Sequence, residues 1–199
     1  MDRDDLRASA SEYLERTAAT LRDVREACLD DIAAAASILA GDLRGGGKVL
    51  ICGNGGSAAD AQHLATELVA SLTRDRVRPS IPALALTTDT SVLTALANDH
   101  GVERMFARQV ESLGAVGDAL IAISTSGASA NVLVAVEEAR GRGLDVVALT
   151  GRSGGKLAPM ADVAIRVPSD VTAHIQEVHL MLLHVWCIYI DEKLGNIQS

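Results

Sequence analysis

Residues 48–68, KVLICGNGGSAADAQHLATEL, place a short apolar run, a glycine-rich turn and a helical segment in direct succession. The apolar run predicts a buried strand, and the glycines allow backbone N–H groups to approach an anion at the turn. The helical segment carries His63 and Glu67 at positions i and i+4, where side chains share one face about a turn apart. This stretch therefore predicts a strand–turn–helix unit with polar groups where the strand ends.

The same alternation continues through the rest of the chain. We predict strands at residues 49–52, 83–86, 119–123, 146–149 and 163–167. Helices are expected at residues 58–72, 91–98, 103–113, 129–142, 156–160 and 173–194. Strands that are apolar throughout and alternate with helices are typical of a parallel sheet covered on both faces. The sequence therefore predicts a single doubly wound α/β domain over residues 1–199.

A helical segment precedes the first strand. Residues 4–43 place apolar side chains at roughly helical spacing, and glycines at positions 45–47 end the segment. We expect an N-terminal helical segment at residues 1–45 and an α/β core at residues 46–199. A helix of this length packs either against a partner subunit or over the core of its own domain, and the sequence favours neither.

Composition restricts the class of protein. The chain has 199 residues, of which 48% are hydrophobic, which suits one compact domain with a sizeable core. Its 18 basic and 26 acidic residues give a net charge of −8, which argues against binding to a nucleic-acid backbone. The N-terminal residues contain no apolar signal-peptide region, and no apolar run reaches the roughly 18 residues of a membrane span. We expect no membrane partner.

The cysteine content points to a reducing compartment. Cys28, Cys52 and Cys187 are scattered, odd in number and flanked by apolar residues, which argues against a disulfide framework. Cys52 lies beside the glycine-rich turn, but a free cysteine is usually a small core residue, so we expect it to be buried rather than nucleophilic. These features predict a cytoplasmic protein.

Two loops follow predicted strands, at the position where open α/β sheets bind ligands. The first, GNGGS at residues 53–57, lacks the pattern of a dinucleotide or Walker loop and fits a plain turn as well as a site. The second, STSGAS at residues 124–129, offers three consecutive hydroxyls, a glycine and a helix N-terminus. That combination favours a phosphate site over a simple capped turn.

The histidines are ambiguous on spacing alone. His63 and Glu67 are suited to share a metal ion or to act in acid–base chemistry, although a structural hydrogen bond is the commoner role of such a pair. The last helix carries Gln176, His179 and His184 among apolar neighbours. Gln176 and His184 are separated by about 12 Å along a helix axis. Their spacing therefore does not by itself place them on one ion.

Taken together, the motifs GNGGS, DAQHLATEL, STSGAS and HIQEVHLMLLH resemble the sugar isomerase (SIS) superfamily, over about residues 10–194. The resemblance implies a five-stranded parallel sheet flanked by helices, and a homotetramer with active sites at subunit interfaces. The motifs are most similar to the branch that isomerises phosphorylated heptoses. This implies conversion of sedoheptulose 7-phosphate to D-glycero-D-manno-heptose 7-phosphate through an enediol, the first step of ADP- or GDP-heptose biosynthesis.

The resemblance also implies the residues of the site. One zinc ion per subunit is expected, and Glu67 and His184 are expected to be the catalytic acid–base pair. The implied zinc ligands are His63, Glu67, Gln176 and His184. The implied substrate-binding residues are Asn54, Gly55, Gly56, Ser57, Glu67, Asn98, Asp99, Ser124, Thr125, Ser126, Ser129 and Gln176. Two positions depart from the common pattern of the family: Ala128 replaces a frequent Asn, and His174 a frequent Arg.

The same superfamily contains non-enzymatic members, which supply an alternative. Some are tetramers that bind the bacterial replication initiator DnaA, and these tend to lack the complete metal and catalytic set. This chain has all four implied zinc ligands, which favours the enzyme. A sugar-phosphate-binding regulator is a third possibility, but no DNA-binding module accompanies the predicted domain.

Overall fold

A computed structural model describes residues 2–72 and 78–194. Residues 1, 73–77 and 195–199 of the predicted domain lie outside the described residues. Within residues 2–72 and 78–194, five strands form one sheet in the order β2-β1-β3-β4-β5, and every neighbouring pair is parallel. The strands are β1 Val49–Gly53, β2 Ala83–Ala85, β3 Ala119–Ser124, β4 Asp145–Thr150 and β5 Val163–Arg166. The five-stranded parallel sheet expected from the sequence is confirmed.

Helices flank this sheet on both faces. The α-helices are α1 Arg3–Ala27, α2 Leu29–Arg44, α3 Gly56–Val69, α4 Thr90–His100, α5 Ala107–Leu113, α6 Ala130–Gly141 and α7 Thr172–Leu194. The predicted helix at residues 103–113 is instead a short 3₁₀ turn followed by α5, and residues 158–160 form only another 3₁₀ turn. None of the helices in the described residues is long and apolar enough to span a membrane.

Alternate residues of the central strands enter two separate hydrophobic layers. Ile51 in β1 packs into the layer that includes α2, α3 and α7, whereas Leu50 and Cys52 pack into the layer that includes α5 and α6. Successive side chains of a strand point to opposite faces, so a sheet covered on both sides needs apolar residues at every position. This is why the strands are continuous apolar runs rather than alternating ones.

The strand order creates a crevice between β1 and β3. From β1 the chain passes through α3 to β2 on one side, and from β3 it passes through α6 to β4 on the other side. α3 and α6 bury their apolar residues against opposite faces of the sheet. The loops that follow β1 and β3 therefore diverge, and such a switch point is where open α/β sheets bind ligands.

The N-terminal segment differs from the single helix that the periodicity predicted for residues 4–43. It forms two helices that meet at Cys28, whose backbone has a φ of −122° and ends α1. α2 is part of the core, with Ile32 and Leu39 buried, whereas α1 buries only Thr20 and Val24. Apolar spacing continues across the break, so the periodicity alone gives no sign of it.

The cysteines are free and buried, as expected. Burial raises the pKa of the Cys52 thiol to about 12. Burial also raises the pKa of Cys187 to about 12, and the nearby Asp191 carboxylate adds to that rise. A thiol with such a pKa remains protonated near neutral pH, which excludes Cys52 as a nucleophile despite its place beside the glycine-rich turn.

Candidate active site

Helices α3 and α7 bring together three side chains that the sequence singled out. The Nε2 atoms of His63 and His184 are 2.7 Å apart, and the two rings meet edge to face. Glu67 Oε1 lies 3.7 Å from His63 Nε2. All three side chains are half-buried, so they are screened from bulk water while remaining open to a small molecule. This arrangement joins an imidazole pair to a carboxylate at one place.

Gln176 lies against the first turn of α3. A Cβ atom added to Gly56 would stand 2.7 Å from the side-chain carbon Cδ of Gln176, so only glycine leaves room for this carboxamide. About two turns further along each helix, His63 of α3 meets His184 of α7. The contact that the structure shows for Gln176 is therefore at Gly56, at the start of α3.

The zinc ligands implied by the family resemblance do not form a ready-made metal site. Within residues 2–72 and 78–194, no three His, Cys, Asp or Glu side chains are arranged to hold a metal ion. The His63–His184 pair with Glu67 nearby contains the donor types that zinc prefers, namely imidazole nitrogen and carboxylate oxygen.

The turn after β1 is exposed at Asn54, Gly55 and Gly56, and α3 begins directly after it. Ser57, a predicted substrate residue, is buried, and the N–H of Ser57 donates to the carbonyl of Asn54 to close the turn. No side chain caps α3, since Gly55 is its N-cap. The structure therefore gives Ser57 a role inside the turn, whereas Asn54, Gly55 and Gly56 remain exposed.

Asn131 was not identified from the sequence. Its carboxamide forms two reciprocal hydrogen bonds with Asn54: Asn54 Nδ2 donates to Asn131 Oδ1 at 2.9 Å, and Asn131 Nδ2 donates to Asn54 Oδ1 at 2.8 Å. Asn131 is buried in the first turn of α6, although buried asparagines are uncommon. The only local signal was an amide directly before the apolar run at residues 132–136 of α6.

The loop after β3 has the features of an anion site. The hydroxyls of Ser124 and Ser129 are 2.9 Å apart and bond to each other, while Thr125 is half-buried and Ser126 is exposed. Ser129 is the N-cap of α6 but makes no side-chain capping bond. The first N–H groups and the positive end of the helix dipole therefore face the loop.

Backbone contacts hold that loop against the connection after β4. The N–H of Gly151 donates to the carbonyl of Thr125, and the N–H of Leu157 donates to the carbonyl of Gly127. Gly127 has a φ of +63°, and its backbone lies so close to Gly154 that a Cβ atom would collide with the Gly154 carbonyl. The connection after β4 therefore supports the loop from behind.

Asn98 and Asp99 lie at the C-terminal end of α4, and both are exposed. The hydrogen bond that the structure shows for them joins one to the other, with Asn98 Nδ2 donating to Asp99 Oδ1 at 2.7 Å. Their predicted role in substrate binding stays a prediction.

The remaining histidines of α7 have structural contacts. Burial lowers the pKa of His179 to about 4, so its ring is neutral, and its Nε2 lies 3.2 Å from the Thr150 carbonyl of β4. His174, which departs from the family pattern, is buried, and its Nδ1 lies 2.9 Å from the Thr17 hydroxyl of α1. These two side chains connect α7 to its neighbours.

A buried ion pair beside the site was also missed from the sequence. Arg78 and Asp191 are 2.5 Å apart, with side chains only 2% and 3% exposed. Arg78 also donates to the carbonyls of Glu67 and Leu68 at the end of α3. Asp191 follows Arg78 by 113 residues, so no local pattern could have paired them.

Comparisons with known proteins show which family and which solved structures this chain is similar to. Residues 12–151 match the SIS domain family. The chain is 49% identical over 190 residues to the phosphoheptose isomerase of Thiobacillus denitrificans, a match that covers 94% of this chain and 95% of that protein. The solved structure of the phosphoheptose isomerase from Neisseria gonorrhoeae is 43% identical, with a TM-score of 0.88 over 94% of this chain and 99% of that one. The phosphoheptose isomerase from Francisella tularensis is 42% identical, with a TM-score of 0.90 over 96% and 100%.

Proposed function

We propose that this chain, which belongs to the SIS domain family and is an isomerase, interconverts sedoheptulose 7-phosphate and D-glycero-D-manno-heptose 7-phosphate. The observation that carries the proposal is the meeting of His63, Glu67 and His184, which supplies acid–base groups where α3 and α7 face each other. The relatives' name, phosphoheptose isomerase, supports a phosphorylated heptose as the substrate. The reaction would begin ADP- or GDP-heptose biosynthesis.

The chemistry needs one proton to move between C1 and C2 of the sugar through an enediol. In the proposed mechanism Glu67 removes the proton from one carbon as a general base and returns it to the other carbon. His184 exchanges a proton with the neighbouring oxygen as the carbonyl and hydroxyl interchange. Because Glu67 and His184 both lie next to His63, one carboxylate and one imidazole can serve adjacent atoms of the substrate.

The phosphate group would bind at the loop after β3. Ser124, Thr125, Ser126 and Ser129 supply hydroxyls there, and the N-terminus of α6 supplies backbone N–H groups. Binding energy gained at the phosphate, away from the reacting carbons, orients C1 and C2 toward Glu67 and His184. Asn54, the glycines beside it, Asn98 and Asp99 are proposed to bind the sugar hydroxyls.

We propose His63, Glu67, Gln176 and His184 as the ligands of a zinc ion, because imidazole and carboxylate groups are donors that zinc prefers. The Nε2 atoms of His63 and His184 already lie 2.7 Å apart, and both side chains are half-buried, so they would adjust around an ion without unfolding of α3 or α7. When bound, zinc would polarise the substrate oxygen as a Lewis acid.

A homotetramer is proposed as the working assembly. The exposed apolar side chains Met181, Val185 and Ile188 follow one another at helical spacing on α7, and Leu6 and Leu14 are exposed on α1. Apolar surface gathered along a helix face usually marks a contact with another subunit. Light scattering coupled to size-exclusion chromatography should give four times the mass of the chain, and a monomer would contradict the assembly.

The test of the function is an NMR time course of sedoheptulose 7-phosphate with zinc-loaded protein. The wild type should produce an aldoheptose 7-phosphate, and Glu67→Gln should abolish turnover while remaining folded. Glu137→Gln, a change of an exposed carboxylate on α6, is the matched control and should keep wild-type turnover. A folded, zinc-loaded wild type without turnover would contradict the proposal and favour the DnaA-binding alternative. Near-normal turnover in Glu67→Gln would remove the base assignment alone.

A further inference from the structure

The reciprocal amide pair of Asn54 and Asn131 joins the two sides of the crevice. Asn54 lies in the turn after β1, and Asn131 lies in the first turn of the helix that follows the loop after β3. These two connections diverge because α3 and α6 cover opposite faces of the sheet. The two side-chain hydrogen bonds, of 2.9 and 2.8 Å, therefore bridge a gap between elements that belong to different hydrophobic layers.

The pair fixes both the position and the rotation of the Asn54 carboxamide. A carboxamide has two N–H donors and an oxygen with two lone pairs. The pair uses one donor and one lone pair of Asn54, which leaves one donor and one lone pair for a ligand. Asn131 is 6% exposed, so it can hold Asn54 but has little surface of its own to offer a substrate.

We propose that Asn131 is a positioning residue for substrate binding, acting through Asn54. It holds the free donor and acceptor of Asn54 toward the crevice and keeps the turn after β1 at a set distance from the phosphate loop. A substrate held by its phosphate at one end and by Asn54 near the other end then meets both groups without rearrangement. The inference rests on the proposed function, since it takes that reaction's phosphorylated sugar as the ligand.

This role predicts a particular kinetic signature. The side-chain hydrogen bonds that the structure shows for Asn131 both join it to Asn54. None of them reaches His63, Glu67 or His184. Its loss should therefore weaken binding and leave the chemical step nearly unchanged. Asn131→Leu, which keeps the approximate size of the side chain, should raise KM about tenfold, the effect of one lost oriented hydrogen bond, with kcat within about twofold.

A double-mutant cycle separates this role from a merely structural one. Asn54→Leu should raise KM at least as much as Asn131→Leu, and the double variant should match Asn54→Leu within about twofold. The proposal would be overturned if the fold increases in KM of the two single variants multiply in the double variant, or if KM is unchanged in Asn131→Leu. Val136→Ala, which removes buried methyl groups further along α6, is the control and should lower stability without changing KM. If Asn131→Leu does not fold by circular dichroism, Asn131→Ala takes its place with the same expected KM.

Calorimetric titration of sedoheptulose 7-phosphate distinguishes this proposal from the proposed function. The dissociation constant should rise about tenfold in Asn131→Leu whether or not the wild type turns the sugar over. A wild type that binds the sugar without turnover would contradict the isomerisation. The tenfold difference in dissociation constant between Asn131→Leu and the wild type would still support the role of Asn131. A wild type that does not bind the sugar phosphate would overturn both.

Discussion

Arg78 Nε lies 2.5 Å from a carboxylate oxygen of Asp191, and this ion pair joins the end of α3 to α7 away from solvent. The same guanidinium donates to the carbonyls of Glu67 and Leu68, the last turn of α3. α3 carries His63 and Glu67, and α7 carries His184. The contact therefore ties together the two helices on which the candidate active site depends.

Asp191→Asn should strongly destabilise the fold, because it leaves the Arg78 guanidinium buried without its counter-ion. We expect a loss of about 3–5 kcal/mol in the free energy of unfolding, measured by urea denaturation. Asp170→Asn, which breaks the exposed pair with Arg152, is the control and should change stability by no more than about 1 kcal/mol. Similar losses in both variants would show that burial of the Arg78–Asp191 pair has no special weight.

Gly56→Ala should impair zinc binding, because the added Cβ occupies the place of the Gln176 carboxamide. Gln176 is one of the four proposed ligands, and its contact with Gly56 supports the carboxamide from outside the metal site. Loss of such a supporting contact typically weakens metal affinity by about 10–100-fold. Zinc content after dialysis is measured by plasma mass spectrometry. Gly41→Ala is the matched control, since a Cβ there meets nothing within 4 Å and should stabilise α2 slightly. Full zinc content in Gly56→Ala would count against Gln176 as a ligand.

Gly127→Ala should weaken binding of the substrate phosphate. The residue combines a φ of +63° with a close approach to the Gly154 backbone, so a side chain must push the loop away from its support. We expect KM for the sugar phosphate to rise by about tenfold or more. Gly117→Ala is the control: its φ of +87° brings comparable backbone strain, but nothing lies within 4 Å of the new Cβ, and it precedes β3 at the opposite edge of the sheet. An unchanged KM in Gly127→Ala would exclude this loop as the phosphate site.

The sheet was predictable because its strands are local apolar runs that the doubly covered architecture requires. The five predicted strands agree with the observed ones within about a residue at each end. The break at Cys28 was not predictable, since apolar spacing continues through it without proline or glycine. Burial tells α1 and α2 apart, and burial depends on what each helix packs against rather than on its own sequence.

The candidate site was only partly predictable, because some of its contacts join residues that are far apart in the sequence. His63 and Glu67 are one helical turn apart, so their proximity follows from helix geometry alone. His184 lies 121 residues after His63, and the two meet because α3 and α7 cover the same face of the sheet. Spacing along α7 did not by itself pair Gln176 with His184, and only the family motif linked them. Asn131 and Arg78 depend on contacts across the fold that have no local signature.

Stability should vary with pH through Asp42, near the N-terminal edge of the sheet. Burial, together with the negative charges of Asp145 and Asp118, raises the pKa of Asp42 to about 6, and its Oδ2 atom is buried without a hydrogen-bond partner. Because the folded pKa exceeds the usual value of 3.8, the folded state binds more protons than the unfolded state between those two values. Asp42 therefore lowers stability progressively as pH rises from about 4 to 6, and the penalty is complete above that range.

Asp42→Asn should accordingly raise the midpoint of urea unfolding at pH 7.5 (about 1.5 units above the folded pKa) and leave it nearly unchanged at about pH 4. Asp118→Asn should have the opposite effect at neutral pH. Burial alone would raise the pKa of Asp118, but hydrogen bonds from Lys48 and from the N–H of Ala115 outweigh burial and lower this pKa. The charged form of Asp118 therefore stabilises the fold. Urea titrations of both variants across this pH range check the two signs together. A loss of stability in Asp42→Asn at pH 7.5 would mean that the charged carboxylate is favourably paired rather than strained by its neighbours.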